Sequence, residues 1–187
     1  ATSPLYANLS RASNLVQSFK QVATDQSSEE KRLFNLAEYT EEILSSIQPK
    51  FKHTNISILI NCDQEINITA DPGVYAQILS NLLVNSLNHG FDQSGEGEIK
   101  INIGLVTPVE NEPRKIEIVY TDNGRGMDEK IAKRVFEPFF TTRRSAGGSG
   151  LGLHIVYNLV TQSLGGKIQL DTATDKGARF TITIPHE

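Results

Sequence analysis

Two pairs of strand-like segments, each joined by a short polar turn, give this sequence its clearest pattern. Residues 98–106 and 115–121 alternate apolar and polar side chains, and residues 167–172 and 178–184 do the same. Alternation with a period of two places one face of a strand in a core, and short turns join antiparallel neighbours. The chain is therefore predicted to contain two antiparallel hairpins, which argues against a doubly wound parallel sheet.

Helical signals lie before and between these hairpins. Further strands are predicted at 56–61 and 66–69, and helices at 35–47, 71–89, 128–135 and 152–164. Asn35 with Glu38 forms a capping pair, and Asp71 precedes Pro72 at a typical helix start. We expect an α+β fold, namely a two-layer α/β sandwich in which a mixed, mostly antiparallel sheet carries helices on one face.

The composition limits both the size of the fold and its partners. A chain of 187 residues and 20.6 kDa suits one domain with an attachment. Its 18 Lys and Arg against 22 Asp and Glu give a net charge of -4, so we expect no nucleic-acid partner. No apolar run approaches the roughly 20 residues of a membrane span. A single cysteine, Cys62, fits a reducing compartment, and we expect a cytoplasmic domain.

The N-terminal segment has the apolar spacing of a helix that packs against a partner. Its apolar positions, four and three residues apart, are Leu5, Leu9, Ala12, Val16, Phe19 and Ala23. The polar residues 24–32 read as a linker. Packing against the chain's own domain is one interpretation of this helix, and a dimerising bundle is the other. The start at Ala1 leads us to expect a fragment of a longer protein.

A polar stripe runs along the helix predicted at 71–89. Asn81, Asn85 and His89 lie at i, i+4 and i+8 on one face, with Leu and Val around them. Amides inside an apolar surface need a hydrogen-bonding partner. Their oxygens suit a hydrated Mg²⁺ together with a polyphosphate. The alternative is a solvent-exposed stripe on a half-buried helix.

Asp122-Asn-Gly124-Arg-Gly126-Met directly follows a predicted strand. A carboxylate there can accept a hydrogen bond from an exocyclic amine, and glycines without Cβ atoms let a flat ring approach the backbone. Adenine fits both properties. An ordinary Asp-Asn-Gly turn is the alternative.

A glycine-rich loop at 147–152 opens the helix predicted at 152–164. Free amides at a helix start attract an anion, and Arg143 and Arg144 precede the loop. It matches neither the dinucleotide fingerprint nor the lysine-containing phosphate loop, and a plain hinge is the alternative. Three phenylalanines at 136–140 are predicted to pack under this loop as core residues.

These motifs, in this order, resemble the ATP-binding domain of sensor histidine kinases, which gyrases, mismatch-repair ATPases and a class of chaperones share. Residues 81–89, 122–127, 136–143 and 148–153 resemble that family's N, G1, F and G2 boxes, and the likeness covers residues 35–185. It implies a Bergerat-type ATP-binding fold at 35–187. It also implies that residues 1–25 are the second helix of a truncated dimerisation hairpin and that 26–34 are a linker.

The resemblance also implies roles for single residues. Asn85 would ligate Mg²⁺, Asp122 would bind the adenine amino group, and Arg143 would act beside Asn85 near the γ-phosphate. The whole implied nucleotide site is Asn81, Asn85, Asn88, His89, Asp122, Gly124, Gly126, Met127, Thr142, Arg143, Gly148, Ser149, Gly150, Leu151, Gly152 and Leu153. Ser86 stands where the family often has Ala, and Asn88-His89 stands where a Lys-Tyr pair is usual.

The implied activity is transfer of the ATP γ-phosphoryl group to a histidine, with ATP and Mg²⁺ as cofactors. None of the chain's four histidines has the family's acceptor context, so we expect the acceptor outside these residues. The implied partners are the protein's own dimerisation and phosphoacceptor helices, a second copy of the chain and a response regulator receiver domain. A membrane would be reached only through upstream regions. An anti-sigma-type protein serine kinase and a non-catalytic nucleotide-sensing module are the alternatives.

Overall fold

The computed structural model describes residues 30–62, 65–91, 96–106, 113–142 and 148–186. The helix predicted at residues 1–25 therefore lies outside the described residues. Among the described residues, no helix reaches the length and apolar character that crossing a bilayer requires.

The main layer is a five-stranded mixed sheet. Its strands, numbered in chain order, are β2 (Asn55–Cys62), β4 (Glu96–Val106), β5 (Lys115–Asp122), β6 (Lys167–Thr172) and β7 (Ala178–Pro185). They lie side by side in the order β2-β4-β5-β7-β6. The β2–β4 pair is parallel, and the other pairs are antiparallel. Both predicted hairpins are present, and the mixed, mostly antiparallel sheet is confirmed.

A small second sheet was not predicted from the sequence. β1 (Arg32–Asn35) pairs antiparallel with β3 (Asn67–Ala70). β1 overlaps the end of the segment predicted as a linker, because its two exposed residues, Arg32 and Leu33, give no apolar alternation. The strand ends at Asn35, whose side chain accepts a hydrogen bond from the backbone N–H of Glu38 and so starts the next helix.

The second layer is made of helices. They are α1 (Leu36–Ile47), α2 (Pro72–Asn85), the single turn α3 (Glu129–Ala132) and α4 (Gly152–Asn158). A 3₁₀ turn, Gln48–Phe51, extends α1 and includes Pro49, which was predicted to end that helix. π-helical turns, Ser86–Gly90 and Leu159–Ser163, extend α2 and α4. The π-helical turn after Asn85 contributes residues to the cavity described below.

The core lies between the two layers. Ile101 of β4, Tyr120 of β5 and Phe180 of β7 are opposite one another in the register, and at most 1% of their surface is exposed. Leu82 and Leu83 of α2 cover them from the helical side. The two layers confirm the predicted sandwich, and they hold the C-terminal end of α2 against the C-terminal end of β5.

Candidate functional site

A cavity of about 450 Å³ opens where α2, the end of β5 and the glycine-rich loop meet. The structure brings most of the predicted site residues to its wall, although they come from separate parts of the sequence. Those that line the cavity are Asn81, Asn85, Asn88, His89, Asp122, Gly126, Met127, Thr142, Gly148, Ser149, Gly150, Gly152 and Leu153. Val84, Ile131 and Val135 add an apolar surface.

Two predicted residues that the structure describes, Leu151 and Gly124, are not on that wall. Arg143 lies outside the described residues. Leu151 is buried and lines a neighbouring cavity, which it shares with Ser149 and Gly152. Gly124 faces the protein instead of the cavity, because a Cβ on it would lie 2.4 Å from the carbonyl oxygen of Gly90. Its missing side chain therefore serves backbone packing.

The Asp122 carboxylate is held by hydrogen bonds on both oxygens. Its Oδ1 accepts bonds from the backbone N–H groups of Gly124 (3.0 Å) and Ala178 (3.3 Å). Its Oδ2 accepts a 2.6 Å bond from the hydroxyl of Ser86. Only 8% of the residue is exposed, and the exposed part borders the cavity. The carboxylate is thus fixed in one orientation before any ligand binds.

Ser86 is held in turn by Tyr120. The Tyr120 hydroxyl donates to Ser86 Oγ at 2.9 Å, with a weaker approach of 3.3 Å to the carbonyl oxygen of Leu82. Burial raises the pKa of Tyr120 far above its usual range, and its bond with Ser86 opposes that shift only in part. The tyrosine therefore keeps its proton as a donor across ordinary pH.

Arg125 joins the loop after β5 to the π-helical turn. Its backbone N–H donates to the carbonyl oxygen of Gly90 at 2.8 Å, and its side-chain Nε donates to that of His89 at 2.5 Å. Arg125 was not among the site residues predicted from the sequence. A cation between two glycines after a strand was the available signal, but its partners could be identified only from the fold.

Gly126 and Gly177 let the closing hairpin approach the site. Gly126 has a φ of 65°, and a Cβ on it would lie 1.9 Å from the carbonyl oxygen of Ala173. Gly177 has a φ of 71°, and a Cβ there would lie 1.9 Å from the carbonyl oxygen of Asp122. The turn between β6 and β7 thus packs directly beneath the segment that presents Asp122.

The asparagines of α2 present free amides to the cavity. Asn81 and Asn85 are both half-buried, and within the described parts of the chain neither side chain has a hydrogen-bonding partner. Gly152, at the start of α4, faces Asn81, because its Cβ position lies 3.5 Å from Asn81 Oδ1. Hard amide oxygens beside the glycine-rich loop fit a hydrated Mg²⁺ that also binds phosphate oxygens.

The aromatic segment divides between core and cavity. Phe136 packs on Phe180 and Tyr157, as predicted for a core residue. Phe139 is 44% exposed and Phe140 lines the cavity, so the prediction that all three rings are core residues was wrong. Gly150, with a φ of 68°, lets the glycine-rich loop pack against the backbone of Phe139, because a Cβ at this position would lie 2.5 Å from the Phe139 carbonyl carbon.

Comparisons with known proteins agree with this geometry. Residues 70–187 match the family described as histidine kinase-, DNA gyrase B-, and HSP90-like ATPase. The chain is 38% identical over 118 residues to sensor histidine kinase ZraS of Escherichia coli O157:H7, covering 63% of this chain and 23% of that protein. It is 26% identical over 182 residues to sporulation kinase A of Bacillus subtilis, covering 97% of this chain and 28% of that protein.

Solved structures show the same architecture. The catalytic domain of histidine kinase ThkA superposes with a TM-score of 0.70 at 28% identity, covering 84% of this chain and 97% of that one. Histidine kinase AdeS of Acinetobacter baumannii, at 20% identity and a TM-score of 0.71 over 94% of this chain and 78% of that one, shares the fold. The chain spans about a quarter of the length of the curated relatives it matches.

Proposed function

The chain belongs to the family of histidine kinase-, DNA gyrase B- and HSP90-like ATPases, and we propose that it works as the ATP-binding kinase domain of a sensor histidine kinase. The observation that carries this proposal is the single cavity that joins Asp122, the asparagines of α2 and the glycine-rich loop. An acceptor for a purine amine lies at one end, and groups suited to phosphate and metal lie at the other.

The nucleotide base occupies the end of the cavity beside Asp122. Asp122 accepts a hydrogen bond from the 6-amino group of adenine, while Met127, Ile131 and Val135 contact the ring faces. Burial of the ring against these side chains supplies most of the affinity, and the carboxylate supplies the preference for an amine.

The triphosphate occupies the end beside Asn81, Asn85 and the glycine-rich loop. Asn85 would hold Mg²⁺ through its amide oxygen, Asn81 would support the phosphates, and the backbone around Gly150 would border them. Mg²⁺ supplies the positive charge that offsets the triphosphate. Arg143, which lies outside the described residues, would add charge near the γ-phosphate, as the family resemblance implies. Positioning and charge neutralisation are the main requirements of phosphoryl transfer.

The phosphoryl acceptor is a histidine outside this chain. His154 does not fit that role, because both of its ring nitrogens are in hydrogen-bonding contact inside the domain, with the carbonyl oxygen of Phe136 and with the side chain of Asn158. We propose that residues 1–25 form the second helix of a dimerisation hairpin, that the residues between it and β1 link it to the ATP-binding domain, and that the acceptor lies on the hairpin's other helix.

The phosphoryl group then passes to a response regulator receiver domain. Histidine kinase ThkA has been solved in complex with the response regulator protein TrrA, which supports a partner of this kind. A dimerisation hairpin implies a homodimer for the full-length protein. Dependence on ATP supports a cytoplasmic location for this domain, whatever membrane attachment upstream regions provide.

Calorimetric titration with ATP and with ADP, each with and without Mg²⁺, tests the proposal. We expect dissociation constants between micromolar and sub-millimolar, equivalent to about -4 to -8 kcal/mol, and tighter ATP binding with Mg²⁺. Absence of both heat and thermal stabilisation would refute it. Labelled phosphate that appears on a serine of a partner protein would move the assignment to the anti-sigma-type serine kinases, and binding without any transfer would indicate a nucleotide sensor.

A further inference from the structure

Ser86 and Tyr120 form a buried chain of hydroxyl groups behind the Asp122 carboxylate. Ser86 is 2% exposed and Tyr120 is fully buried, yet Ser86 still contributes to the cavity wall. The bonds run in one direction, from Tyr120 to Ser86 at 2.9 Å and from Ser86 to Asp122 at 2.6 Å. A polar chain of this kind in a core has to be fully satisfied, because an unpaired member would be costly.

The directions of these bonds follow from counting hydrogens. A hydroxyl group has one hydrogen to donate, and a carboxylate has none. Tyr120 gives its hydrogen to Ser86, and Ser86 gives its own to Asp122. Asp122 Oδ1 already accepts two backbone N–H groups, whereas among the described residues Oδ2 accepts only the Ser86 hydroxyl, which leaves it a lone pair. This wall of the cavity therefore presents acceptors and no hydroxyl hydrogen.

We propose that Ser86 strengthens the preference of Asp122 for a 6-amino purine over a 6-oxo purine, with Tyr120 as a positioning residue. The proposal rests on the proposed function, since it assigns the base to this end of the cavity. An amine finds the open lone pair of Asp122 Oδ2. A carbonyl oxygen at the same position meets acceptors on Asp122 and Ser86, and no hydrogen can turn toward it.

Removing the Ser86 hydroxyl would weaken the preference for a 6-amino purine. Ser86→Ala leaves a buried space beside Asp122 Oδ2 that is polar on two sides, from Asp122 and from Tyr120, and a water molecule fits such a site. Water can turn either a hydrogen or a lone pair toward the base. The carbonyl oxygen of a 6-oxo purine then accepts a hydrogen bond from this water, a donor that the parent protein lacks at this position. The 6-amino purine loses little affinity.

The affinities for Mg-ATP and Mg-inosine triphosphate test this directly, because inosine carries an oxo group where adenosine carries the amine. We expect the parent to prefer ATP by about tenfold or more, and Ser86→Ala to reduce that ratio by about three- to tenfold. Ser86→Thr retains the hydroxyl and should keep the parental ratio. Tyr120→Phe, which leaves the wall intact, should reduce the ratio by a smaller factor.

Thr40→Val is the matched control. Thr40 is fully buried and shares a 2.6 Å hydrogen bond with the Tyr75 hydroxyl, so it repeats the Ser86–Tyr120 pairing away from the cavity. This variant should lose stability and keep the ATP-to-inosine ratio. A parental ratio in Ser86→Ala would overturn the inference while the proposed function stands, and a parent that binds neither nucleotide would refute the proposed function itself. If Ser86→Ala does not fold, a parental ratio in Tyr120→Phe overturns the inference in its place.

Discussion

Asp122 is held so firmly that a change in its chemistry should affect ligand binding more than folding. In Asp122→Asn, the amide oxygen can keep the backbone bonds from Gly124 and Ala178, while the amide nitrogen replaces Oδ2. Ser86 can then reverse its hydroxyl and accept from that nitrogen. The group facing the base becomes a donor, which repels an amine.

We therefore expect Asp122→Asn to weaken ATP binding by about 1.5–3 kcal/mol and to change the free energy of unfolding by less. Calorimetry and chemical denaturation on the same preparation measure the two quantities. A parent protein that bound ATP and GTP equally well would contradict this role for Asp122, whatever the variant did.

The backbone conformation at position 177 requires glycine, and a substitution there should also disturb Asp122 in the candidate site. A Cβ there would lie 1.9 Å from the carbonyl oxygen of Asp122, at a φ of 71°. Gly177→Ala should therefore destabilise the domain by at least about 1–3 kcal/mol and weaken ATP binding, because Asp122 must move. Gly104→Ala is the control, since nothing lies within 4 Å of its Cβ position. Equal melting temperatures for the two variants would contradict this role.

Among the helices and strands, apolar periodicity predicted those whose formation depends on residues close together in the sequence. α1, the hairpins and the capping at Asn35 and Asp71 follow from apolar spacing and side-chain chemistry within a few residues. The π-helical turn Ser86–Gly90 was not predictable in this way, because a helical stripe looks alike over one turn whether its hydrogen bonds are α or π. That turn begins with Ser86, which contacts Asp122, and ends at Gly90, which accepts the Arg125 N–H.

The sequence predicted residues that could contact a ligand, but not the buried contacts that hold them in place. Asn85, Asp122 and the glycine-rich loop carry chemical signals in the sequence itself. The role of Gly124 against the Gly90 backbone is different, because it depends on a contact between the loop after β5 and the end of the π-helical turn, which only the fold brings together. The same applies to Tyr120, which looks like an ordinary core residue of an alternating strand and turns out to orient the hydroxyl of Ser86.

The pairing of α1 with α2 predicts how stability depends on alkaline pH. Burial raises the pKa of Tyr75 from 10.0 to about 12, and its bond with Thr40 only partly opposes this. An unfolded tyrosine ionises near pH 10, while the folded one keeps its proton. The contribution is therefore fully present below pH 10 and is lost as the pH rises through about 12.

Between pH 10 and 12, the parent should therefore lose free energy of unfolding that Tyr75→Phe does not, a difference on the order of 3 kcal/mol. Denaturant titrations at several pH values measure it. Tyr157→Phe is the control, because that ring is 42% exposed, and it should follow the parent. Parallel curves for the parent and Tyr75→Phe would contradict the prediction.

In the whole molecule, the two-layer sandwich fixes the distance between the Asp122 carboxylate and the asparagine side chains of α2. The core joins β5, which ends in Asp122, to α2, which carries Asn81 and Asn85, so the same buried residues set the distance between the two ends of the cavity, which we propose hold the base and the phosphates. We therefore expect the chain to bind a nucleotide by itself. Under the proposed function, phosphoryl transfer requires an acceptor histidine from elsewhere.

Phosphoryl transfer to a supplied helical hairpin that carries a histidine is the decisive measurement, made with the parent and with Asn85→Ala. Asn85 is half-buried and has no hydrogen-bonding partner among the described residues, so alanine should leave the melting temperature equal or slightly higher. The parent should place acid-labile label on the hairpin, and Asn85→Ala should place none, because a direct oxygen ligand of Mg²⁺ is lost. Transfer by Asn85→Ala at the parental rate, or label on the isolated domain, would contradict the proposed site and its function.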